Sequence, residues 1–271
     1  MDQWVSTLSI LGMCLITVGI IFLTFEAGFF LGKNRYQRST KEKDSLVGPM
    51  VGSILGLLAF MLSFTFGVAA SHFDTRRHLV LDEANVIRST YAMTGLLGQD
   101  QRDEARKLLR EYVDIRVKAV QSWSTVKDRE AMLARSNEIQ DQLWSMAMIG
   151  QIKNTGTSAS PLYLQSLDEM INMQAKRITA VIRSRIPTTI WVVLYALVIF
   201  GMAAMGYHSG LIGIRGFFVY QALILTFSFV LVLIYDLDRP KQGLFKVSQQ
   251  AMVELQKKMI EPSAMFPLEA K

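Results

Sequence analysis

The stretch Gly48–Asn85, GPMVGSILGLLAFMLSFTFGVAASHFDTRRHLVLDEAN, decides the fold. It opens with about 25 residues that carry no charge, enough to cross a bilayer core of roughly 30 Å as a helix, which takes about 20 residues. It then runs without a Pro or Gly break into a charged segment whose apolar residues Val80, Ala84, Ile87 and Tyr91 keep the helical spacing of three and four. A membrane span that continues as a solvated amphipathic helix is the expectation. Three more uncharged runs lie outward from it, Trp4–Phe25, Thr188–Gly206 and Gly216–Tyr235. The fold class is therefore an all-α membrane protein of four spans, with a helical insert of about four helices between spans two and three.

Composition agrees with this division. The 271 residues are 51% apolar and only 19% charged, which excludes a disordered or nucleic-acid-coating chain. The single cysteine, Cys14, lies in an apolar run, so neither a disulfide framework nor a cysteine zinc site can form. The first span has no basic segment before it and no small-residue cleavage site, so it reads as a retained helix. The domain reading is 1–73 for spans one and two, 74–185 for the helical insert, 186–235 for spans three and four, and 236–271 for a tail with an amphipathic stretch, Val247–Ile260, ended by Pro262 and Pro267.

Within the insert, 17 basic residues face 14 acidic ones, so it contributes +3 of the net charge of +6. Its first helix should stop near Gly98. A second should run from Asp100 to about Ser124, a third should carry Met132 to Met148, and a fourth should span Leu162–Arg185 after the turn-rich NTGTSASP. Lys33–Asp44 reads as a short basic loop joining spans one and two, and His208 as part of a turn between spans three and four. Four spans put both termini and the insert on one side. Ten basic residues flank the spans on that side and six on the other, which places the insert and termini in the cytoplasm of a cell with this protein in its inner membrane. The first span alone, with Asp2 before it and basic residues after it, votes the other way.

Function is sought first on span two. Gly48, Gly52 and Gly56 are spaced by four, a ridge that lets helix backbones approach closely in lipid. Phe60, Ser63, Phe64, Gly67 and Ser71 share one uncharged face. That face fits ordinary helix packing, and it also fits the lining of a narrow pore around a symmetry axis, with Phe60 and Phe64 one turn apart as a constriction that gates by dewetting. Arg76 and Arg77, between His72 and His78, would form a collar that concentrates anions, or would anchor lipid phosphates. Asp236 and Asp238 in YDLDRP read as a helix-terminating turn. No nucleophile elbow, phosphate-binding loop or metalloprotease helix occurs, so no catalytic residue, metal site or cofactor is expected.

The run LAFMLSFTFGVAASHFDTRRHLVLDEAN together with the later DLDRPKQG resembles the bacterial bestrophin-like domain family, over about Leu46–Ser248. Around Phe60–Arg88 the order of apolar, aromatic, small and charged residues also resembles bestrophins themselves. The resemblance implies a homopentameric anion channel, passing chloride or other small anions, whose second span lines a neck and whose insert helices form a cytosolic vestibule. Phe64 then matches a neck aromatic and Phe60 a neck apolar residue, with Ser71 and Phe73 where the small and aromatic residues follow. The acidic cluster with which animal bestrophins hold calcium is reduced here to Asp236 and Asp238. A membrane sensor or scaffold whose insert binds a ligand or partner is the alternative.

Overall fold

The computed structural model describes residues 10–38, 47–121, 126–152, 160–183, 185–213, 216–239, 245 and 247–260. These residues form eight α-helices and no strand: α1 (Ile10–Arg38), α2 (Val47–Met93), α3 (Gln99–Gln121), α4 (Val126–Ile152), α5 (Ser160–Arg183), α6 (Thr188–Ile212), α7 (Phe217–Asp238) and α8 (Gln250–Ile260), with a 3₁₀ turn at Thr94–Leu96. Four of them are long and apolar enough to cross a membrane: α1, α2, α6 and α7. The 47 residues of α2 are about twice what a crossing needs, so its second half lies beyond the bilayer.

The chain divides into two compact units, Met1–Asp74 with Ser184–Lys246, and Thr75–Arg183 with Val247–Lys271. The first holds α1, the start of α2, α6 and α7. Lipid offers no hydrophobic drive for helices to associate, so close packing must hold them. Glycines provide it between α1 and α6. A Cβ added at Gly28 or Gly32 would run into the carbonyl oxygens of Ala203 and Tyr207, and one added at Gly206 or Gly210 into those of Phe25 and Phe29. Between these spans Thr17 and Tyr195 share a hydroxyl hydrogen bond of 3.2 Å, and Phe25 stacks at 4.7 Å on Tyr220 of α7. The apolar side chains turned outward, such as Leu15, Leu23, Phe200 and Phe229, are those that lipid would cover.

The second unit is built like a soluble bundle. Ile87 and Tyr91 of α2, Leu109 and Tyr112 of α3, Ile139 and Leu143 of α4, Leu167 and Met170 of α5, and Met252 of α8 are wholly buried in one core. Burial of this apolar surface is the stabilising term in water, at about 25 cal/mol per Å². The tail thus contributes to both units, Phe245 to the first and α8 to the second.

Two boundaries differ from the sequence reading. Span one does not end at Phe25: α1 runs through Glu26 to Arg38, and the first half of the expected basic loop is helical. Glu26 does not stop the helix, and the close packing of Gly28 and Gly32 against α6 follows it. His208 is not in a turn but inside α6, which ends at Gly213, a residue at φ 74° whose N–H is bonded to the Ser209 carbonyl. Gly206 and Gly210 look like turn residues in sequence yet serve close approach. Trp4, Asp2, Lys41, Ser124, most of NTGTSASP, Arg215, Pro262 and Pro267 lie outside the described residues.

Candidate pore-lining face

Within the first unit, α2 has two contrasting sides. Val51, Leu58, Leu62, Thr65 and Ala69 recur at three, four and seven residues and are buried against the other spans. Thr65 meets its polar requirement locally, donating to the Met61 carbonyl at 2.7 Å. The opposite side holds Gly52, Ser53, Gly56, Phe60, Ser63, Phe64, Gly67 and Ser71, all exposed within the chain. Phe60 and Phe64, one turn apart, expose 66% and 59% of their surface.

Among the described residues, no atom outside the local turn of α2 lies within 4 Å of where a Cβ would stand at Gly52, Gly56 or Gly67, whereas at Gly48 the imidazole of His208 is 3.2 Å away. Among the described residues, only the first glycine of the expected packing ridge therefore meets another element. Next to Gly67 the absence of a side chain leaves an open groove of about 480 Å³, lined by Ser63, Phe64, Gly67, Val68, Ser71 and His72. Four of the five residues expected on the pore face thus share one concavity, with Phe60 a turn before it. The groove has two hydroxyls, an imidazole and an aromatic ring, and no carboxylate.

The two collar arginines are not brought together. Arg76 is 3% exposed and engaged by other groups of the chain, while its neighbour Arg77 is exposed. One residue is about 100° of helix rotation, so a buried and an open side chain alternate there. Asp236 and Asp238, at the end of α7, are buried acceptors. Asp238 Oδ1 takes the N–H of Ile186 at 2.9 Å and Asp236 Oδ2 that of Phe245 at 3.2 Å, and Arg239 stacks 4.3 Å over Tyr235. They fix the chain on either side of the spans. No group of three metal-binding side chains occurs among the described residues.

The second unit contains a site that the sequence reading passed over. Glu83 has no exposed surface and pairs with two guanidiniums, Arg116 at 2.7 Å and Arg177, which also donates to Gln249 Oε1 at 2.9 Å. Burial alone would lower the Arg116 pKa, but the electrostatic attraction of Glu83 and of Tyr112, together with the hydrogen bond to Glu83, raises the value. Beside this triad, Tyr112 donates to Gln174 Oε1 at 2.6 Å, Gln140 donates to the same oxygen at 2.8 Å, and Gln174 donates to Asn137 at 2.9 Å. The signal was present in the sequence, because Glu83 sits next to Ala84 on the apolar stripe of Val80, Ile87 and Tyr91, where only a paired acid is tolerated.

Fold and site together define a helical membrane protein with two spans, a helical insert and two further spans. The family profile described as Bestrophin-like domain matches residues 15–252, and the chain belongs to that family. Among solved structures, a bacterial bestrophin homologue from Klebsiella pneumoniae is similar at TM-score 0.67 and 14% identity, over 96% of this chain and 100% of that one. A singly substituted form of that homologue matches at TM-score 0.65 and 15% identity, over 93% and 98%. A crystal structure described only as a membrane protein matches at TM-score 0.67 and 14% identity, over 93% and 97%. No curated protein matches.

Proposed function

We propose that the protein is an oligomeric anion channel in which α2 surrounds a central axis and Phe60, Ser63, Phe64, Gly67 and Ser71 line its pore. The observation that carries this reading is the uncharged face of α2, left uncovered by its own chain and grooved beside Phe64. Further copies, repeated to the pentamer that the bestrophin resemblance implies, would close the face into a conduit. Hydroxyls and the positive edges of aromatic rings suit a partly dehydrated anion such as chloride, and a ring of phenyl groups narrows the path enough to gate by dewetting. Arg77, exposed where Arg76 is not, would supply the positive field at the mouth. Gly52 and Gly56 would let neighbouring copies approach along α2. The insert and termini are proposed to lie in the cytoplasm, with the spans in the inner membrane. Single-channel recording of the reconstituted oligomer, with Phe60→Ala and Phe64→Ala beside the parent, tests the reading: the truncations should raise conductance or open probability.

A second reading, in which the insert serves as a binding module, has one observation in its favour. An open groove of about 400 Å³ between α3 and α4 is lined by Glu104, Leu108, Asp141, Met146 and Ile149. A ligand-dependent shift in thermal melting without ion flux would favour it.

A further inference from the structure

Hydroxyls in these spans have a standard route to a hydrogen bond, the carbonyl four residues earlier. Thr24 takes that of Ile20 at 2.7 Å, Ser53 that of Pro49 at 3.0 Å, Thr65 that of Met61 at 2.7 Å and Thr226 that of Ala222 at 2.8 Å. Ser228 of α7 does not. It is 1% exposed and its Oγ has no hydrogen-bond partner among the described residues. An unsatisfied hydroxyl in a dry, apolar setting is unfavourable, and a bilayer core holds no water to relieve it.

The same serine helps to line a crevice of about 410 Å³ between α1 and α7, with Cys14, Val18, Leu225, Thr226 and Phe229 as its other walls. That volume is within the range of small-molecule sites, roughly 300–1,000 Å³. Because the Thr226 hydroxyl is already committed to Ala222, Ser228 is the hydroxyl left to offer a proton there. Phe229, 69% exposed, stands at the lipid-facing mouth.

Depth selects the occupant. Ser228 lies midway along the span Phe218–Asp238, ten residues from either end. At 1.5 Å per residue that is about 15 Å from each side, the middle of a hydrocarbon core of roughly 30 Å. The polar groups of an ordinary phospholipid stay at the interface and cannot reach it. A molecule that dissolves in the core and carries its own acceptor can.

We propose that the crevice between α1 and α7 binds a long-chain lipid whose polar group is an uncharged carbonyl, accepting a hydrogen bond from Ser228. A serine hydroxyl turns about its Cα–Cβ bond between staggered positions, so it can meet the acceptor without backbone movement. The site is independent of the channel reading, since α2 takes no part in it.

The test is equilibrium binding of radiolabelled 2-tridecanone, and of tridecane as the hydrocarbon of equal length, to the full chain in nanodiscs, with empty nanodiscs as background. The expected result is saturable binding of the ketone, one per chain, without saturable binding of the hydrocarbon. Ser228→Ala should weaken ketone binding about five- to tenfold, the worth of one neutral hydrogen bond, and Ser228→Thr should retain it. Unchanged thermal melting of both variants will show that the fold is intact. No saturable binding, equal binding of ketone and hydrocarbon, or an Ala variant that binds as tightly as the parent would each overturn the proposal. The first would mean that a neighbouring copy fills the crevice, and the second that an acyl chain does.

Discussion

Glu83 and Arg116 lie 2.7 Å apart, oxygen to nitrogen, in the interior of the insert, where Glu83 is fully buried and Arg116 retains 9% of its side-chain surface. Arg177 shares the carboxylate from the other side, so one acid on α2 pairs with two cations, one on α3 and one on α5. The arrangement ties three helices together. Its removal in part is more damaging than its absence, because a buried charge left alone has lost both water and partner.

Glu83→Gln should therefore destabilise the insert by about 3–5 kcal/mol, the usual loss on breaking a buried ion pair. Thermal melting followed by circular dichroism measures it. A melting point equal to that of the parent would show that the triad is solvated and adds nothing.

Close packing in the first unit gives a second expectation. Gly206→Ala puts a methyl group against the Phe25 carbonyl and Gly28→Ala puts one against that of Ala203, so each should destabilise by about 1–3 kcal/mol. Gly52→Ala and Gly56→Ala meet no other element among the described residues and should not destabilise the monomer while shifting the oligomer measured by native mass spectrometry. Equal effects of the two pairs on melting would contradict this division.

Two tyrosines of the insert predict an alkaline limit. Burial raises the pKa of Tyr112 and of Tyr163 above the ordinary 10.0. The unfolded chain then loses these protons near pH 10 while the folded one keeps them, so stability is constant below that pH and falls as pH rises above it. Phenylalanine should behave differently at the two positions. Tyr163, whose hydroxyl has no partner among the described residues, should tolerate the change or gain stability, whereas Tyr112→Phe removes the donor to Gln174 and should cost about 1–2 kcal/mol at neutral pH. Melting from pH 7 to 11 follows both.

Much of this fold was legible because a membrane span is a local property. About 20 uncharged residues announce themselves, and the insert's helices follow from a period that Val80, Ala84, Ile87 and Tyr91 keep. What was not legible depends on partners distant in sequence. Gly28 and Gly32 carry the same spacing of four as Gly48, Gly52 and Gly56, and spacing alone does not say which ridge finds its mate within the chain. Gly206 and Gly210 flank Tyr207 and His208 in what reads as a turn, and only the presence of α1 against them explains the helix. For the candidate site, periodicity placed Ser63, Phe64, Gly67 and Ser71 on one face, but whether Arg76 or Arg77 faces outward is set by the surroundings of α2.

On the proposed function, the open face of α2 lines a conduit closed by further copies of the chain. Its most direct test is single-channel recording in planar bilayers of an oligomer of verified mass, comparing the parent with Phe60→Ala and Phe64→Ala. Chloride-selective currents that grow when either ring is removed are the expected result. A stable oligomer that stays silent as parent and in both variants would contradict it.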